Sequence, residues 1–336
     1  MDIGNRTGAL RSFVIGTLIA AATAVSAETI KWDMAEAFAP TALPSLASAD
    51  FARLVKEKSA GRIEITVHYN GSLGIGEKDV LTSVEQGVVP LSSTMLDKVQ
   101  ATMPPASVQF IPFMAGNLKD ARALWAAARP LNEAHFAKLN QVLLFESFGP
   151  PVGVWSKKPV QSLAELKTLK LRTNHPTNTK AFQIAGASPT FMAWGDVPAA
   201  LSTGLIDAVV TSCESGISAK FQEQLKYFTR LDIEIGIFMV HMHKPTLDKL
   251  PPDLRQAVLD AAAQASQLAY ARTVARLEEN TRTMKAAGVT VADTIPAEFR
   301  GHLKKASETL LTDWKRKVGP ENAEKVLGDF EKRRKS

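Results

Sequence analysis

Apolar segments with the spacing of strands alternate with segments that have the spacing of helices between residues 169 and 216. The pattern predicts strands at Leu169–Leu171, Pro189–Trp194 and Ile206–Val210, separated by helices from Pro176 to Gly186 and from Asp196 to Ser202. This order of strands and helices is typical of an α/β sheet. In such sheets ligands bind at the carboxyl ends of the strands, so the functional side chains are expected there.

A cation, an aromatic ring and a small polar group each lie at the end of one of these strands. They are Arg172, Trp194 and Thr211. The planar fork of an arginine can meet both oxygens of a carboxylate. The pattern therefore predicts a carboxylate-binding cleft with the arginine as its anchor and the tryptophan as a wall. Residues beside the strand ends, or at the expected mouth of the cleft, are further candidates for ligand contact: Ser212, Asn174, Phe38 and Trp155.

The same alternation fills the first half of the chain and indicates a second sheet. The pattern predicts strands at Thr29–Met34, Ile63–Val67, Val88–Thr94 and Gln141–Phe148, and helices at Leu46–Ser59, Asp79–Gly87 and Leu118–Leu139. After residue 150, Val152–Trp155 is expected to be a strand and Lys220–Tyr227 a helix.

A double proline at positions 150 and 151 marks a crossing between two lobes, and the apolar strand Ile233–His243 is expected to cross back. The resulting division assigns 28–149 and 236–276 to lobe I, and 150–235 and 277–336 to lobe II.

One long helix is predicted from Pro252 to Ala287, because the segment is rich in good helix formers and is interrupted by neither glycine nor proline. Gly288 is its natural stop. At 1.5 Å per residue, about 36 residues span roughly 54 Å, which exceeds the width of one lobe. We therefore predict that the helix lies across both lobes. A homodimer formed through this helix is the alternative that stays open.

The first 27 residues have the pattern of an export signal. Arg6 and Arg11 precede the apolar run Phe13–Ala22, which is too short to span a bilayer, and residues 25–27 are small, as signal peptidase requires. An uncleaved membrane anchor is the alternative. We expect cleavage near Ala27, a periplasmic location and a mature chain of 309 residues (336 − 27).

Composition narrows the class of protein. A hydrophobic content of 45% supports a packed core and argues against disorder. The net charge of +6 is modest, and the basic residues at 315–317 and 332–335 are typical of a solvated tail, so no nucleic acid is expected as partner. Cys213 is the only cysteine, which excludes an internal disulfide.

An enzyme and a metal protein are the competing classes. As a nucleophile, Cys213 would need a base such as His175 or His241, and no local signature of a Cys–His site surrounds it. His241 and His243 share one strand face, but two ligands without an evident third are few for a metal. We therefore predict no catalytic residue, no metal and no cofactor.

Several segments, in this order and spacing, resemble the periplasmic solute-binding proteins of tripartite ATP-independent periplasmic (TRAP) transporters, of the dicarboxylate-binding type. The resemblance covers nearly the whole mature chain. The segments that carry it are Phe51–Val67 with Asn70–Gly74, Leu169–Arg172, Gly186–Pro189, Trp194–Val197, Ala200–Asp207 and Leu247–Ala262.

The resemblance implies a two-lobed α/β binding protein, with a mixed sheet in each lobe and a long helix spanning both. Such a protein closes on a small organic acid and delivers it to the small and large membrane subunits of the transporter. The family's carboxylate arginine falls on Arg172 and its aromatic on Trp194. Its asparagine falls on Thr211, and a second arginine of some members falls near Val152 and is missing.

By the same resemblance, the polar first-lobe ligands of sugar-acid binders fall near Ala35 and Met95, so the departures run toward apolar groups and narrow the expected ligand. A second carboxylate would be poorly paired in a dry site with one cation. We therefore expect a monocarboxylate with an apolar or aromatic body, such as a 2-oxo, hydroxy or aromatic acid. Binding of a C4-dicarboxylate, and presentation of the ligand to a sensor kinase instead of a transporter, are the alternatives.

Overall fold

The computed structural model describes Met1 and residues 28–76 and 79–335, so the expected signal peptide lies outside the described residues except for Met1. In these ranges no helix is both long and apolar enough to cross a membrane. The β-strands of the described chain are β1 Ile30–Glu36, β2 Ile63–His68, β3 Leu91–Met95, β4 Gln141–Ser156, β5 Leu171–Thr173, β6 Thr190–Phe191, β7 Ala208–Ser212, β8 Tyr227–Thr229, β9 Ile235–His243 and β10 Thr290–Ala292.

Helices follow most of the strands. They are α1 Leu43–Lys58, α2 Val80–Glu85, α3 Leu118–Lys138, α4 Leu163–Lys167, α5 Pro176–Ile184, α6 Val197–Ser202, α7 Cys213–Ser218, α8 Lys244–Asp248, α9 Pro252–Ala286, α10 Ala297–Val318 and α11 Pro320–Lys335. Short 3₁₀ helices lie at Leu96–Val99, Pro104–Phe110, Trp194–Asp196 and Phe221–Glu223.

Two mixed sheets share the strand β4. The first sheet has the order β2-β1-β3-β9-β4, in which β1 is parallel to β2 and β3, and β9 runs antiparallel to β3 and β4. The second continues as β4-β7-β5-β6, with β8 and β10 on the other side of β4. The strand β4 passes from one sheet to the other near the double proline, where its register with β9 shifts between Phe148 and Pro151. The predicted fold class, α/β with a mixed sheet in each of two lobes, is confirmed.

A second segment crosses beside the first, just before β9. The amide of Val152 donates to the carbonyl of Glu234 at 2.9 Å, and the amide of Ile233 donates to the carbonyl of Val152 at 3.2 Å. Two backbone segments therefore run side by side between the lobes, which is the arrangement of a hinge.

The long helix α9 contacts both lobes. Arg272 forms an ion pair with Asp50 of α1, and four residues later Arg276 forms an ion pair with Glu214 of α7 at 2.7 Å. Between them, the Thr273 hydroxyl donates to the carbonyl of Phe148 in β4 at 2.7 Å. The prediction that this helix spans both lobes is confirmed. A homodimer through it stays a prediction.

Local structure after β7 differs from the expectation. Thr211 and Ser212 end β7, and the residues that follow, from Cys213, form the helix α7. The helix expected at Lys220–Tyr227 is wrong. Lys220 has a left-handed φ of 57°, which changes the direction of the chain and ends the helical conformation there. After one 3₁₀ turn, Tyr227 enters β8, which pairs with β4 and β10. The expected strand Pro189–Trp194 also shortens to Thr190–Phe191, because it pairs only with the short β5.

The last two helices pack against elements of both proposed lobes. Ala306, Leu310 and Phe330 share one apolar core with Leu124 and Trp125 of α3. The start of α10 packs instead with the core under β5 and β7, through Phe299 and Leu303. The division at 150, 236 and 277 stays a prediction.

Candidate functional site

Backbone carbonyls hold the guanidinium of Arg172 at the carboxyl edge of the second sheet, where only 2% of the residue is exposed. Its Nε and Nη2 donate to the carbonyl of Met192 at 3.0 and 2.8 Å, and its Nη1 donates to the carbonyl of Val210 at 3.3 Å. A guanidinium has five N–H groups, so these contacts within the described chain leave one N–H on each terminal nitrogen. Such a pair of donors suits a carboxylate.

The charge of Arg172 is maintained in this buried position. Burial lowers the pKa of Arg172 to about 10, although the nearby Asp97 carboxylate acts against the decrease. The group is therefore positively charged at neutral pH. A buried cation of this kind attracts an anionic ligand more strongly than a solvated one, because the local dielectric is low.

The indole of Trp194 lies beside this cation. The Cζ atom of Arg172 is 5.6 Å from the centroid of the indole, within the range of a cation–π interaction. Phe221 packs against the same indole, with ring centroids 5.6 Å apart. Trp194 nevertheless keeps 40% of its surface exposed. An exposed aromatic face next to a buried cation can cover the apolar body of a bound acid.

The end of β7 brings Thr211 and Ser212 close to the arginine. Both are buried, and Thr211 directly follows Val210, whose carbonyl accepts from Arg172. The Ser212 hydroxyl accepts from the Ser215 amide at 3.1 Å and donates to the Ser215 hydroxyl at 3.0 Å. Ser212 therefore caps α7, and of the two hydroxyls Thr211 is better placed for a ligand. Contact of either residue with a ligand stays a prediction.

The first lobe presents an apolar surface with a pocket at the carboxyl edge of its sheet. The half-buried ring of Phe38 packs edge-on against Phe238, with centroids 5.4 Å apart. Met95 lies opposite Phe238 in the pairing of β3 with β9. Phe38 and Met95 both line the pocket, together with Ser93 and Lys98. The expected role of Phe38 in ligand contact stays a prediction.

The 3₁₀ helix that follows β3 brings the first lobe to the arginine. Its Asp97 lies near enough to Arg172 to raise the pKa of the guanidinium. One turn later, the Gln100 side chain accepts a hydrogen bond of 2.8 Å from the hydroxyl of Thr177, on α5 of the second lobe. The segment that follows β3 and the helix α5 of the second lobe are therefore in direct contact, through Gln100 and Thr177.

Sequence reasoning missed a buried acid in the first lobe. Glu36 ends β1, is 1% exposed and accepts from the amide of Phe38 at 3.2 Å and from the hydroxyl of Ser48 at 2.8 Å. Burial raises the pKa of the Glu36 carboxyl, although these hydrogen bonds act against the rise. The available signal was the period-two pattern of β1, in which Trp32, Met34 and Glu36 occupy inward positions.

A second missed group lies at the hinge. Glu234 and His175 are both 2% exposed, and the His175 Nε2 lies 2.9 Å from Glu234 Oε2. The side-chain amides of Asn174 and Asn178 donate to Glu234 Oε1 at 3.1 and 3.0 Å. His175 Nδ1 accepts from the Asn178 amide at 3.2 Å, so the Nε2 edge of the ring faces the carboxylate. Asn174, a candidate ligand contact two residues after Arg172, therefore binds Glu234 at the hinge.

The expected position of Trp155 at the mouth of the cleft is wrong. Trp155 is 0% exposed and packs between aromatic rings of the second lobe, 5.1 Å from Phe228 and 6.2 Å from Phe221. Its Nε1 donates to the carbonyl of Ser212 at 3.2 Å, and Gly216 of α7 approaches its ring so closely that a side chain there would clash. The tryptophan supports the end of β7 from within the core, because β4 turns this position inward.

The residues considered for an enzyme or a metal site have other partners. Burial raises the pKa of the Cys213 thiol to about 11, and its neighbour is Asn280, at 3.7 Å from the sulfur. His241 Nε2 is 2.8 Å from Thr94 Oγ1 and its Nδ1 is 2.6 Å from Gln141 Oε1, so both ring nitrogens are occupied. Across residues 28–76 and 79–335, no group of three or more His, Cys, Asp or Glu side chains is arranged to hold a metal ion.

Comparison with known proteins gives consistent matches over most of the chain. The model of bacterial extracellular solute-binding protein family 7 (DctP) matches residues 34–317. A solute-binding protein of Verminephrobacter eiseniae is 28% identical over 256 residues, which cover 73% of this chain and 74% of that protein.

Solved structures are similar over nearly the whole fold. Bordetella pertussis DctP7, an extracytoplasmic solute receptor binding pyroglutamic acid, is 30% identical with a TM-score of 0.83, covering 90% of this chain and 100% of that one. A marine metagenome TRAP solute-binding protein specific for pyroglutamate is 26% identical with a TM-score of 0.82, covering 91% and 99%.

Proposed function

The chain belongs to the bacterial extracellular solute-binding protein family 7, and from this premise we propose that it captures a small monocarboxylate outside the cytoplasm and delivers it to the membrane subunits of a TRAP transporter. The observation that carries the choice of ligand is the buried guanidinium of Arg172. Three of its N–H groups are held by backbone carbonyls, and one N–H on each terminal nitrogen remains for a carboxylate.

The surroundings of the arginine favour an acid with an uncharged body. Trp194 offers an exposed aromatic face on one side, and Phe38, Met95 and Phe238 form an apolar surface in the first lobe. Desolvation of a charge is expensive unless the charge is paired. A monocarboxylate pairs its one charge with Arg172 and places its remaining atoms against these apolar groups.

Pyroglutamate is the first ligand to test within this class. It is the ligand named for two of the similar solved structures, at 30% and 26% identity to this chain. Chemically it is a monocarboxylate with a neutral five-membered ring, which agrees with the single anchor and the apolar neighbours described above. Hydroxy, 2-oxo and aromatic acids remain in the proposed class.

A C4-dicarboxylate is the alternative. Lys98 lines the first-lobe pocket, but it already has an interaction partner within the protein, so it does not supply a free second cation. The buried carboxyl of Glu36 lines the same pocket and offers no positive charge that could pair with a second carboxylate.

Calorimetric titration of the purified mature protein separates these ligands. The panel contains pyroglutamate, a 2-oxo acid, a hydroxy acid and an aromatic acid, with succinate and malate as the dicarboxylates. A dissociation constant in the micromolar range or below for one monocarboxylate, at least about tenfold tighter than for succinate, is the expected result. Tight binding of succinate would refute the monocarboxylate proposal, and native mass spectrometry would identify an acid that copurifies.

Delivery and export need separate experiments. Uptake of the identified acid into vesicles that contain the small and large membrane subunits should require this protein. Ligand-dependent activation of a receptor kinase without uptake would favour the sensory alternative. N-terminal sequencing of the exported protein should begin near Glu28 if cleavage occurs after Ala27.

A further inference from the structure

We propose that Glu234 and His175 are positioning residues that couple the ligand anchor Arg172 to the hinge. In this arrangement a carboxylate bound to Arg172 fixes the end of β5, and the buried pair passes that restraint to the segments that cross between the lobes. The inference rests on the proposed function, since it concerns the response of the protein to the acid that Arg172 holds. It extends the determinants of affinity to two residues that are each 2% exposed.

Glu234 is joined to both crossing segments. It lies in the second of them, directly before β9. Its backbone carbonyl accepts from the amide of Val152 in the first segment at 2.9 Å, and the neighbouring Ile233 amide donates to the Val152 carbonyl at 3.2 Å. A rotation about these segments therefore displaces the side chain of Glu234 as well.

The turn between β5 and α5 supplies the donors that meet the Glu234 carboxyl. The side-chain amides of Asn174 and Asn178 donate to its Oε1 at 3.1 and 3.0 Å, and Nε2 of His175 lies 2.9 Å from its Oε2. The Asn178 amide also donates to the side-chain carbonyl of Asn174 at 2.9 Å. Moving the turn away from the hinge would leave a buried carboxylate unpaired, which is costly, so the two move together.

His175 adds a contact with the core of the first lobe. Its ring packs against that of Phe110, with centroids 5.0 Å apart and an angle of 61° between the rings. Phe110 belongs to the apolar core around α3. Through Nδ1 the same ring caps the start of α5. The imidazole is therefore held by the first-lobe core, by a helix of the second lobe and by the carboxyl at the hinge.

The chain between Arg172 and this cluster is too short to absorb a movement. Arg172 and Asn174 are two residues apart, so their Cα atoms lie within about 7 Å of each other. The guanidinium at one end is fixed by the carbonyls of Met192 and Val210, and the amide at the other end is fixed by Glu234. A shift of the arginine on binding an acid is therefore transmitted to the hinge.

A double-mutant cycle measured by calorimetry tests whether Glu234 acts through Arg172. Coupling through such networks changes affinity by about 3- to 30-fold, so Glu234→Gln should weaken binding of the acid by a factor in this range. In the Arg172→Lys background the same change should weaken binding by less than about twofold, because independent effects would add and this one acts through the arginine. Equal fold losses in both backgrounds, or no loss in the first, would overturn the proposal.

Hydrogen exchange with and without a saturating acid is a readout that a merely structural role would not change. In the wild type, binding should slow exchange of the Val152 and Ile233 amides, which join the crossing segments. In Glu234→Gln, saturated with the same acid, this slowing should be lost at the hinge. Slowing of the same size in the variant would contradict the coupling.

Controls separate coupling from loss of stability. The exposed Glu223→Gln, in the second lobe, makes the same chemical change away from the hinge. Val55→Ala lowers stability by opening a cavity in the core beneath α1. Both should bind the acid as the wild type does. If Glu234→Gln does not fold, His175→Asn replaces it in both experiments, because asparagine can still cap α5 but loses the aromatic contact with Phe110.

The outcome also distinguishes the inference from the function on which it rests. If a monocarboxylate binds and the cycle shows no coupling, the inference fails and the proposed function stands. If succinate or malate is the acid that binds tightly, the monocarboxylate proposal fails, and the same cycle with that acid still decides the inference. If no acid of the panel binds, both fail together.

Discussion

The Cζ atom of Arg172 lies 5.6 Å from the ring centroid of Trp194, so a buried cation lies against a partly exposed indole. The two residues come from different elements, β5 and the 3₁₀ turn after β6. The carbonyl of Met192, two residues before the tryptophan, accepts two hydrogen bonds from the same guanidinium. A change in either residue should therefore affect the position of the other.

Replacing Arg172 by lysine should weaken binding of the acid by at least about 30-fold. Lysine keeps a charge but cannot hold the Met192 and Val210 carbonyls and also present two parallel donors. Removing one partner of a buried charge pair costs about 2–5 kcal/mol, and 1.4 kcal/mol is about tenfold. Calorimetry with the ligand found above is the measurement, and Arg53→Lys on the exposed face of α1 is the control. Affinity within a few-fold of wild type would mean that the cleft assignment is wrong.

Replacing Trp194 by alanine should weaken binding about 3- to 30-fold while changing the free energy of unfolding by about 1 kcal/mol or less. The affinity falls because the aromatic face beside the cation is lost. The stability changes little because the side chain is already 40% exposed. Calorimetry and urea unfolding measure the two effects, and Trp194→Phe should retain most of the affinity. Equal affinity in the alanine variant would remove Trp194 from the site.

Replacing Glu234 by glutamine should lower the free energy of unfolding by about 1–3 kcal/mol. The new amide group would face the donors of Asn174, His175 and Asn178, which now meet the carboxylate. Urea unfolding checks this, with the exposed Glu165→Gln as the matched control. Stability equal to that of the control would show that the hinge does not depend on this carboxylate.

His241 should make the protein less stable as the pH falls below about 6.5. Burial lowers the pKa of His241 to about 3, whereas the unfolded chain has a pKa of about 6.5. Between these values the unfolded state binds a proton that the native state does not, so stability falls on acidification, by about 1.4 kcal/mol per pH unit.

Urea unfolding at pH 7.5 and pH 5 measures this contribution. From this one group, the loss at pH 5 is about 2 kcal/mol. His241→Gln should show a shallower loss than wild type, whereas His302→Gln, at an exposed position of α10, should keep the wild-type dependence. An unchanged dependence in the His241 variant would contradict the prediction.

Cys213 should react slowly with thiol reagents in the native protein. Burial raises the pKa of its thiol to about 11, so little reactive thiolate is present at pH 8. Labelling with iodoacetamide should become fast in concentrated urea, where the side chain is exposed. Rapid labelling of the native protein would show that the end of β7 opens readily.

The order of elements and the family could be predicted from the sequence because each rests on local signals. Period-two and helical spacing located β1, β2, β7 and the long helix α9, and proline at 150 and 151 marked the place where β4 passes between the sheets. The resemblance to TRAP solute-binding proteins, and the conclusion that the chain is not an enzyme, are confirmed by the family match over residues 34–317.

Some local structure failed to follow the local signal. The helix expected at Lys220–Tyr227 does not form, because Tyr227–Thr229 pairs as a strand with β4 and β10, which are distant in sequence. Trp155 looked like an aromatic at the cleft mouth, but its face of β4 packs on Phe228 and Gly216. In both cases a long-range partner decided the outcome, and spacing along the chain carries no information about such partners.

The sequence alone determined the class of fold and the two-lobed plan, and it put forward Arg172 as the candidate anchor of the site, because hydrophobic period, breaker residues and one cation at a strand end are properties of short segments. Only the tertiary structure decided what surrounds that arginine. The Met192 and Val210 carbonyls and the Glu234 cluster join residues far apart in the chain. Their chemistry depends on burial and direction, which the folded packing of both lobes creates.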